Sequence, residues 1–353
     1  MDIKQSAEFI SQNSAFVKIN HSAIDACAEY IASQMQVVEY STATWSQHPL
    51  HPRSMGPQEI CDWIFMMDLL NFSFWHEKSS LLPYTVSFNG TAYTGYWSLC
   101  AAMKKMDAKG IPITSPAYYA NATDAELAAF FAPDNPEFHA QIPLFQTRCE
   151  MLRKAGKILL ENCDGHFSNL IKQANKSSQR LLELIMSTFG DLFHDSAMYK
   201  GKQVFFHKRA QILIADMWAC FENTGLGEFL DIDTITMFAD YRVPQALVHL
   251  KVIEYTTELL NLLDLNLEYH KVKATPILHE NERHMLAYGD PREVEIRGAS
   301  IWVVEMILKA MRERNPDMVV NAIMIDFYLW DFAKKSAHLM SHIPIHLTRS
   351  IYY

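Results

Sequence analysis

Apolar residues recur at helical spacing along most of the chain, and this pattern predicts its main elements. Residues 1 to about 35 are predicted as helices, with a capping sequence at residues 22–25 before the second. Pro244 and Pro291 each open a predicted helix, where the missing N–H is tolerated. The pattern predicts a mainly α protein, whose further helices span residues 58–70, 143–163, 167–189, 202–223, 244–263, 291–315 and 319–340.

Two short stretches follow strand rather than helix patterns. Residues 37–44 predict a short strand, followed by a turn-rich piece with three prolines and one glycine. Residues 83–96 alternate around Asn89-Gly90, a pair typical of tight hairpin turns. Since no repeat, low-complexity segment or long linker divides the chain, we predict one compact domain over residues 1–353. Its small β-containing part lies at about 36–96 and its helical bulk at about 97–353.

Composition limits the class of protein. With 353 residues, 49% of them hydrophobic and 20% charged, the chain can bury a large core. A net charge of −9 disfavours a nucleic acid polymer as partner, whereas a small phosphorylated ligand needs only a local basic pocket. The sequence has no run of about 18 apolar residues, so no membrane span is predicted. Six scattered cysteines without a C-x-x-C pair, and a start without a signal-type apolar region, favour the cytoplasm.

The segment FADYRVPQ at residues 238–245 places an acid, a phenol and a guanidinium side by side where a helix must break. Pro244 disfavours α geometry at Val243 but fits the first turn of a new helix. Asp240, Tyr241 and Arg242 are therefore predicted at a joint between helices, which can aim side chains into a cleft. The alternative interpretation is a capped turn with a surface ion pair.

The chain resembles the queuosine salvage family, whose members are queuosine 5′-phosphate N-glycosidases. The resemblance covers most of the chain and is carried by segments in sequence order: NFSFW at 71–75, KRAQILIAD at 208–216, FADYRVPQ at 238–245, EVEIRGASIW at 293–302, IDFYLWD at 325–331 and RSIYY at 349–353. It implies hydrolysis of queuosine 5′-phosphate, releasing queuine for salvage into tRNA modification, with water and no cofactor.

Other functional classes stay open beside this one. The chain can instead be a non-catalytic helical module that binds queuine or a protein partner. Action on nucleic acid is a third possibility, which the net charge disfavours. It is suggested by a distant likeness to helix-hairpin-helix DNA glycosylases, in which a glycine-containing hairpin precedes a catalytic aspartate, as Gly225 and Gly227 precede Asp240 here.

Asp240 is the predicted catalytic residue. Cleavage of an N-glycosidic bond develops positive charge on the sugar, so a carboxylate near the anomeric carbon can stabilise it and orient the attacking water. Asp240 resembles the catalytic aspartate of the family, and the turn before Pro244 would hold it on a semi-rigid element.

The predicted phosphate contacts come from two regions. Lys208 and Arg209 lie on the polar part of an otherwise apolar helix, where the alternative is a solvated face. The resemblance places this segment beside the active site, and we favour Lys208. Arg349 and Tyr353 are a second predicted anchor in the C-terminal tail, which we expect to be docked because exposing Tyr352 and Tyr353 is unfavourable.

Two acids are candidates for recognising the base. Asp326 and Trp330 share one helix face, whereas Asp331 is turned by roughly 140° from Asp326. The base of queuosine carries donor groups and a secondary amine expected to be cationic, so a buried carboxylate could pair with either. We favour Asp326, and expect Asp331 to pair with Lys334 or Lys335 instead.

Five aromatic residues could stack on the flat base, although a place in the core is the favoured interpretation of each taken singly, except Tyr241: Phe72, Trp75, Phe238, Tyr241 and Trp330. Tyr241 is the strongest of these candidates because it lies at the polar joint.

Two further groups of polar residues are assigned no catalytic role. Glu293, Glu295 and Arg297 are expected to form a structural ion-pair network at a helix start. His338, His342 and His346 recur at four-residue steps, but Pro344 interrupts the helix between the last two, so no metal site is predicted.

Overall fold

The computed structural model of the chain describes residues 1–37, 42, 45, 47–52, 55–76, 82–137, 139–271 and 285–353, with side chains described up to 264 in the helix that ends at 271. Within these residues the fold consists of fourteen α-helices and three two-stranded antiparallel sheets. The predicted mainly α class is confirmed. Among the described residues, no helix is both long and apolar enough to cross a bilayer.

The first part of the chain is mainly helical and contains three short strands. Its elements are α1 (Ile3–Asn13), β1 (Val17–Ile19), α2 (Ile24–Val37), α3 (Pro57–Leu69), β2 (Thr85–Phe88), β3 (Thr91–Thr94), α4 (Tyr96–Ala108), α5 (Pro116–Tyr119), α6 (Asp124–Phe130) and α7 (Phe145–Asn162).

The second part has longer buried helices. Its elements are α8 (Phe167–Gln173), α9 (Ser178–Phe189), β4 (Ser196–Tyr199), β5 (Lys202–Phe205), α10 (Lys208–Cys220), α11 (Val243–His249), β6 (Ile253–Tyr255), α12 (Thr257–Lys271), α13 (Pro291–Arg314) and α14 (Ala322–Lys335).

The predicted hairpin is confirmed. Strands β2 and β3 pair from Thr85 opposite Thr94 to Phe88 opposite Thr91. Asn89 and Gly90 both have positive φ angles, 49° and 80°, as the two-residue turn requires. The hairpin leads directly into α4.

Two predicted helix spans were wrong because strand pairing overrides the local pattern. In the predicted helix 202–223, β5 pairs with β4, and α10 begins at Lys208. In the predicted helix 244–263, β6 interrupts the chain and pairs with β1, more than two hundred positions away. Strands are therefore not confined to the region 36–96.

Two other predictions need adjustment. The predicted helix 167–189 is two helices, α8 and α9, separated where Asn175 and Lys176 adopt positive φ angles. Of the predicted strand 37–44, Val37 is the last residue of α2, and residues 38–41, 43 and 44 lie outside the described part of the chain.

Helix α13 is the centre of the core. Fifteen of its 24 residues are buried, and it packs against α1, α2, β1, α11 and α14. Gly298 allows the close approach of α1, because a Cβ there would lie 2.6 Å from Ile10. Around this core, α10 packs on α3 and α11 packs on α14, and these helices carry most of the charged residues of the site described next.

Candidate active site

A cavity of about 840 Å³ lies between α10, α14, the segment after α3 and the joint before α11. Ten of the eleven predicted site residues line it, and the exception is Arg349. Those ten are Phe72, Trp75, Lys208, Phe238, Asp240, Tyr241, Asp326, Trp330, Asp331 and Tyr353. Residues far apart in sequence thus meet in one place.

The joint before α11 holds Asp240 in a fixed position. Its Oδ1 accepts hydrogen bonds from the backbone N–H groups of Arg242, at 2.9 Å, and Val243, at 2.8 Å. The side chain therefore caps the start of α11 while it also lines the cavity. Both interpretations of this segment hold in part: it is a capped turn, and its acid is buried in a cleft rather than paired on the surface.

Lys208 is the cation next to this acid. It is the first residue of α10, and its own N–H is anchored by Asp195 Oδ2 at 3.1 Å. Burial raises the pKa of Asp240, and the charge of Lys208 opposes that shift. Burial lowers the pKa of Lys208, and the charges of Asp240, Asp68 and Asp326 oppose that shift. Lys208 is thus surrounded by carboxyl groups.

Asp326 connects α14 to the joint. Its Oδ1 accepts a hydrogen bond from the N–H of Phe238 at 2.9 Å. Burial, and then the nearby charge of Asp240, raise its pKa well above the usual range. Two carboxyl groups so placed cannot easily both ionise, so the pair favours an ionised Asp240 with a protonated Asp326.

Two further acids were missed by the sequence reasoning. Asp216 on α10 lines the cavity. Burial raises its pKa to about 7, and a hydrogen bond with the Trp45 side chain acts in the opposite direction. Asp68 lies behind it on α3, fully buried, with a pKa raised well above normal by burial and by the charge of Asp216. A signal was available, because Lys208, Ile212 and Asp216 are spaced four apart and all line the cavity.

An aromatic wall was also missed. The indole of Trp97 stacks on His48 with ring centroids 3.4 Å apart, and Trp45 stacks on His51 at 3.7 Å. These residues line the cavity together with Tyr96. The sequence reasoning had treated the piece around His48 as a turn-rich connector, and its closely spaced Trp and His residues were the available signal.

The five predicted aromatics differ in environment. Phe72 is almost fully buried, and the Arg148 guanidinium lies 4.0 Å from its ring. Phe238 is buried too, whereas Tyr241, Trp330 and Trp75 are partly exposed.

The C-terminal tail is docked, as predicted. Ser73 donates its hydroxyl to the carbonyl of Ser350 at 2.7 Å, and Tyr353 donates its hydroxyl to Glu293 at 2.8 Å. Arg349 lies 3.9 Å from the ring of Trp75 and donates to the carbonyl of that residue. The tail therefore closes one wall of the cavity.

A buried ion network supports this wall. Arg297 is fully buried, binds Asp195 at 2.5 Å and Glu293 at 3.3 Å, and lies 4.2 Å from the ring of Tyr353. The predicted pairing of Glu293 with Arg297 is confirmed. Glu295 is not part of it, since it accepts from the N–H groups around Phe16 instead.

The remaining predicted residues have structural partners. Arg209 is buried and donates to the backbone carbonyls of Asp68, Leu69 and Leu192. Asp331 pairs with Lys335 at 3.2 Å, as expected.

The three spaced histidines have different environments. His338 and His342 are exposed, whereas His346 is buried, which lowers its pKa to about 3. Within the described ranges, no group of His, Cys, Asp or Glu is arranged to hold a metal ion.

Comparison with known proteins assigns the chain to a family. Residues 50–353 match the family model described as queuosine salvage protein. The chain belongs to the queuosine salvage protein family. It is 39% identical to a protein of Schizosaccharomyces pombe, with 99% of each chain covered, and 38% identical to one of Mus musculus, covering 99% of this chain and 98% of the relative. A bacterial relative from Sphaerobacter thermophilus is 34% identical over 96% of this chain and 93% of its own.

Each of these three relatives is named queuosine 5′-phosphate N-glycosylase/hydrolase. The matched region contains all of the cavity lining except Trp45, Gln47, His48 and Pro49.

Proposed function

We propose that the protein hydrolyses the N-glycosidic bond of queuosine 5′-phosphate and releases queuine and ribose 5-phosphate. The observation that carries this proposal is Asp240, a buried acid held by two backbone N–H groups on a cavity wall next to Lys208. The names of the full-length relatives support the substrate.

In this reaction the bond between the base nitrogen and the anomeric carbon breaks, and its electron pair leaves with the base. Water adds to the anomeric carbon, and its proton balances the charge on the departing base. The ionised Asp240 stabilises the positive sugar in the transition state and orients the water. A carboxylate pre-positioned by hydrogen bonds needs little reorganisation for this role.

We assign Lys208 the role of keeping Asp240 ionised. Burial alone favours the neutral acid, and the positive charge of Lys208 is the largest effect that favours the ionised form. The phosphate contact predicted from the family resemblance is the second hypothesis for Lys208, with Tyr353 and Arg349 as its partners in the docked tail.

The Lys208→Met variant separates these roles. If Lys208 is the counter-ion of Asp240, the substitution lowers kcat. It also moves the acid limb of the pH–rate profile to higher pH, because the pKa of Asp240 rises further. The inhibition constant of ribose 5-phosphate stays near the wild-type value. A selective rise in that constant, with an unchanged acid limb, would instead identify Lys208 as a phosphate contact.

Base recognition is assigned to the α14 side of the cavity. Asp326, whose raised pKa favours the neutral acid, can donate a hydrogen bond to the base, or ionise when a cationic amine binds beside it. We propose that the base stacks on Tyr241, Trp330 and Phe238. Trp75 and Phe72, which also line the cavity, are secondary stacking candidates. Asp331, paired with Lys335, is a secondary candidate.

The direct test is incubation of the purified protein with queuosine 5′-phosphate, followed by chromatography of the products. Queuine and ribose 5-phosphate should form in equal amounts, and the Asp240→Asn variant should form little of either. A non-catalytic queuine-binding module would bind queuine and release no product from the nucleotide.

Three coarser predictions accompany this proposal. A single domain over residues 1–353 is supported by a cavity lining that runs from Trp45 to Tyr353. A cytoplasmic location is supported by six free cysteines. The distant likeness to helix-hairpin-helix DNA glycosylases rests on Gly225–Gly227 preceding Asp240; these residues form a single 3₁₀ turn packed on Met217 of α10.

A further inference from the structure

Two cations stand close together at the mouth of the cavity. Arg242 follows the catalytic joint and Lys334 lies near the end of α14, and both line the cavity. The ammonium of Lys334 lies 3.9 Å from the centre of the Trp330 ring, and the Arg242 guanidinium donates a hydrogen bond to Gln245 Oε1 at 3.3 Å. Lys334 is exposed and Arg242 is partly exposed, which places both at the solvent side of the cavity. Desolvation by the surrounding atoms and the charge of Arg242 lower the pKa of Lys334 to about 8, so the two positive charges act on each other.

Neither cation has a carboxylate at salt-bridge distance within the part of the chain that the structure describes. The nearby acids are used elsewhere: Asp331 pairs with Lys335 at 3.2 Å, and Asp240 accepts from backbone N–H groups. The charges of Asp331 and Asp240 raise the pKa of Lys334 through space, but each does so by less than the charge of Arg242 lowers it. The two cations therefore repel each other, and a bound anion relieves that repulsion.

The floor of the same cavity has the opposite character. There Lys208 faces the carboxyl groups of Asp68, Asp240 and Asp326, and Asp216 lies on the same side of α10. A phosphate dianion is repelled by such a floor, whereas a cationic amine is attracted to it. The cavity is therefore polar from end to end, acidic at the floor and basic at the mouth.

We propose that Arg242 and Lys334 form the 5′-phosphate subsite of this cavity and thereby select the nucleotide over the nucleoside. This inference rests on the proposed function. Asp240 belongs to the acidic floor and also adjoins the basic pair, since its carboxylate accepts a hydrogen bond from the backbone N–H of Arg242. A nucleotide bound with its base toward the floor and its phosphate at the mouth therefore has its anomeric carbon beside Asp240.

The planar guanidinium of Arg242 can donate two parallel hydrogen bonds to a phosphate monoester, and the ammonium of Lys334 adds a compact positive charge. Each charge-assisted contact of this kind corresponds to about a 10- to 100-fold change in affinity. Replacing the Arg242 side chain leaves its backbone N–H in place, so the cap on Asp240 is retained.

The experiment compares Arg242→Gln and Lys334→Met with Lys309→Met as the control. Lys309 is an exposed lysine on α13 that pairs with Glu313 at 3.8 Å and lies outside the cavity lining. Inhibition constants are measured for ribose 5-phosphate, which carries the phosphate without the base, and for queuine, which carries the base without the phosphate. Melting temperatures and circular dichroism check that each variant folds.

For both test variants we expect the ribose 5-phosphate constant and the KM for queuosine 5′-phosphate to rise about 10- to 100-fold. The queuine constant should stay within about twofold, and Lys309→Met should resemble the wild type. An unchanged ribose 5-phosphate constant in folded variants, or a rise seen in Lys208→Met instead, would overturn the assignment. Failure of the proposed function would appear differently, as a wild-type protein that releases no queuine.

Discussion

The Asp240→Asn substitution tests the reaction most directly, because it removes a charge and little else. The asparagine keeps an Oδ1 that can accept from the N–H groups of Arg242 and Val243. Burial raises the pKa of Asp240, so its ionised form lowers stability at pH values above that pKa. The neutral variant should therefore melt at the wild-type temperature or above it at pH 8.

The expected loss of rate follows from Coulomb's law. A carboxylate about 4 Å from a unit positive charge contributes about 4 kcal/mol at an effective dielectric constant of about 20. About 1.4 kcal/mol corresponds to a tenfold change in rate, so kcat should fall about 10³-fold. That value lies at the upper end of the losses of about 10²- to 10³-fold found for single charge-stabilising groups.

The assay is single-turnover release of queuine from queuosine 5′-phosphate, measured with enzyme in excess across the pH range. Wild-type activity should decline as pH falls through the raised pKa of Asp240, and the residual activity of the variant should lack that limb. Asp191→Asn, at an exposed ion pair with Lys154, is the control and should leave the rate unchanged. A folded Asp240→Asn variant within tenfold of the wild-type rate would refute the reasoning and make Asp326 the next candidate.

Two further substitutions test the surroundings of this acid. Asp326→Asn keeps the acceptor for Phe238 N–H and should raise KM for the nucleotide; because burial raises the pKa of Asp326, it should also raise the melting temperature more at pH 8 than at pH 5. Equal shifts at both pH values would contradict the pKa argument. Arg297→Met leaves Asp195 and Glu293 buried without their cation and should cost about 3–5 kcal/mol in urea unfolding; a loss below about 1 kcal/mol would show that the network relaxes.

Local sequence patterns predicted the secondary structure correctly where it depends on neighbouring residues. The hairpin turn follows from the backbone freedom of Asn89 and Gly90, and the span of α13 follows from Pro291 and its apolar pattern. The break before Pro244 likewise follows from proline geometry. Predictions failed where a distant strand competes with a local helix pattern, as at β5 and β6.

The candidate site shows the same division. Residue type, spacing and family resemblance were enough to name Asp240, Asp326 and Lys208, and the structure places all three in one cavity. They did not reveal Asp216, Asp68 or the aromatic wall of Trp97 and His48. Those residues come from helices whose relative placement is set by packing, and no local pattern records it.

The sequence by itself determined which segments are helical and which acid stands at a rigid joint, because periodicity, proline and glycine act over a few residues. Tertiary structure alone decided the charges of the site. Burial of Asp240 beside Lys208, and the meeting of Arg242 with Lys334 at the mouth, depend on distances between α10, α11 and α14. Desolvation and Coulomb interactions act through space, so they exist only once the helices are packed.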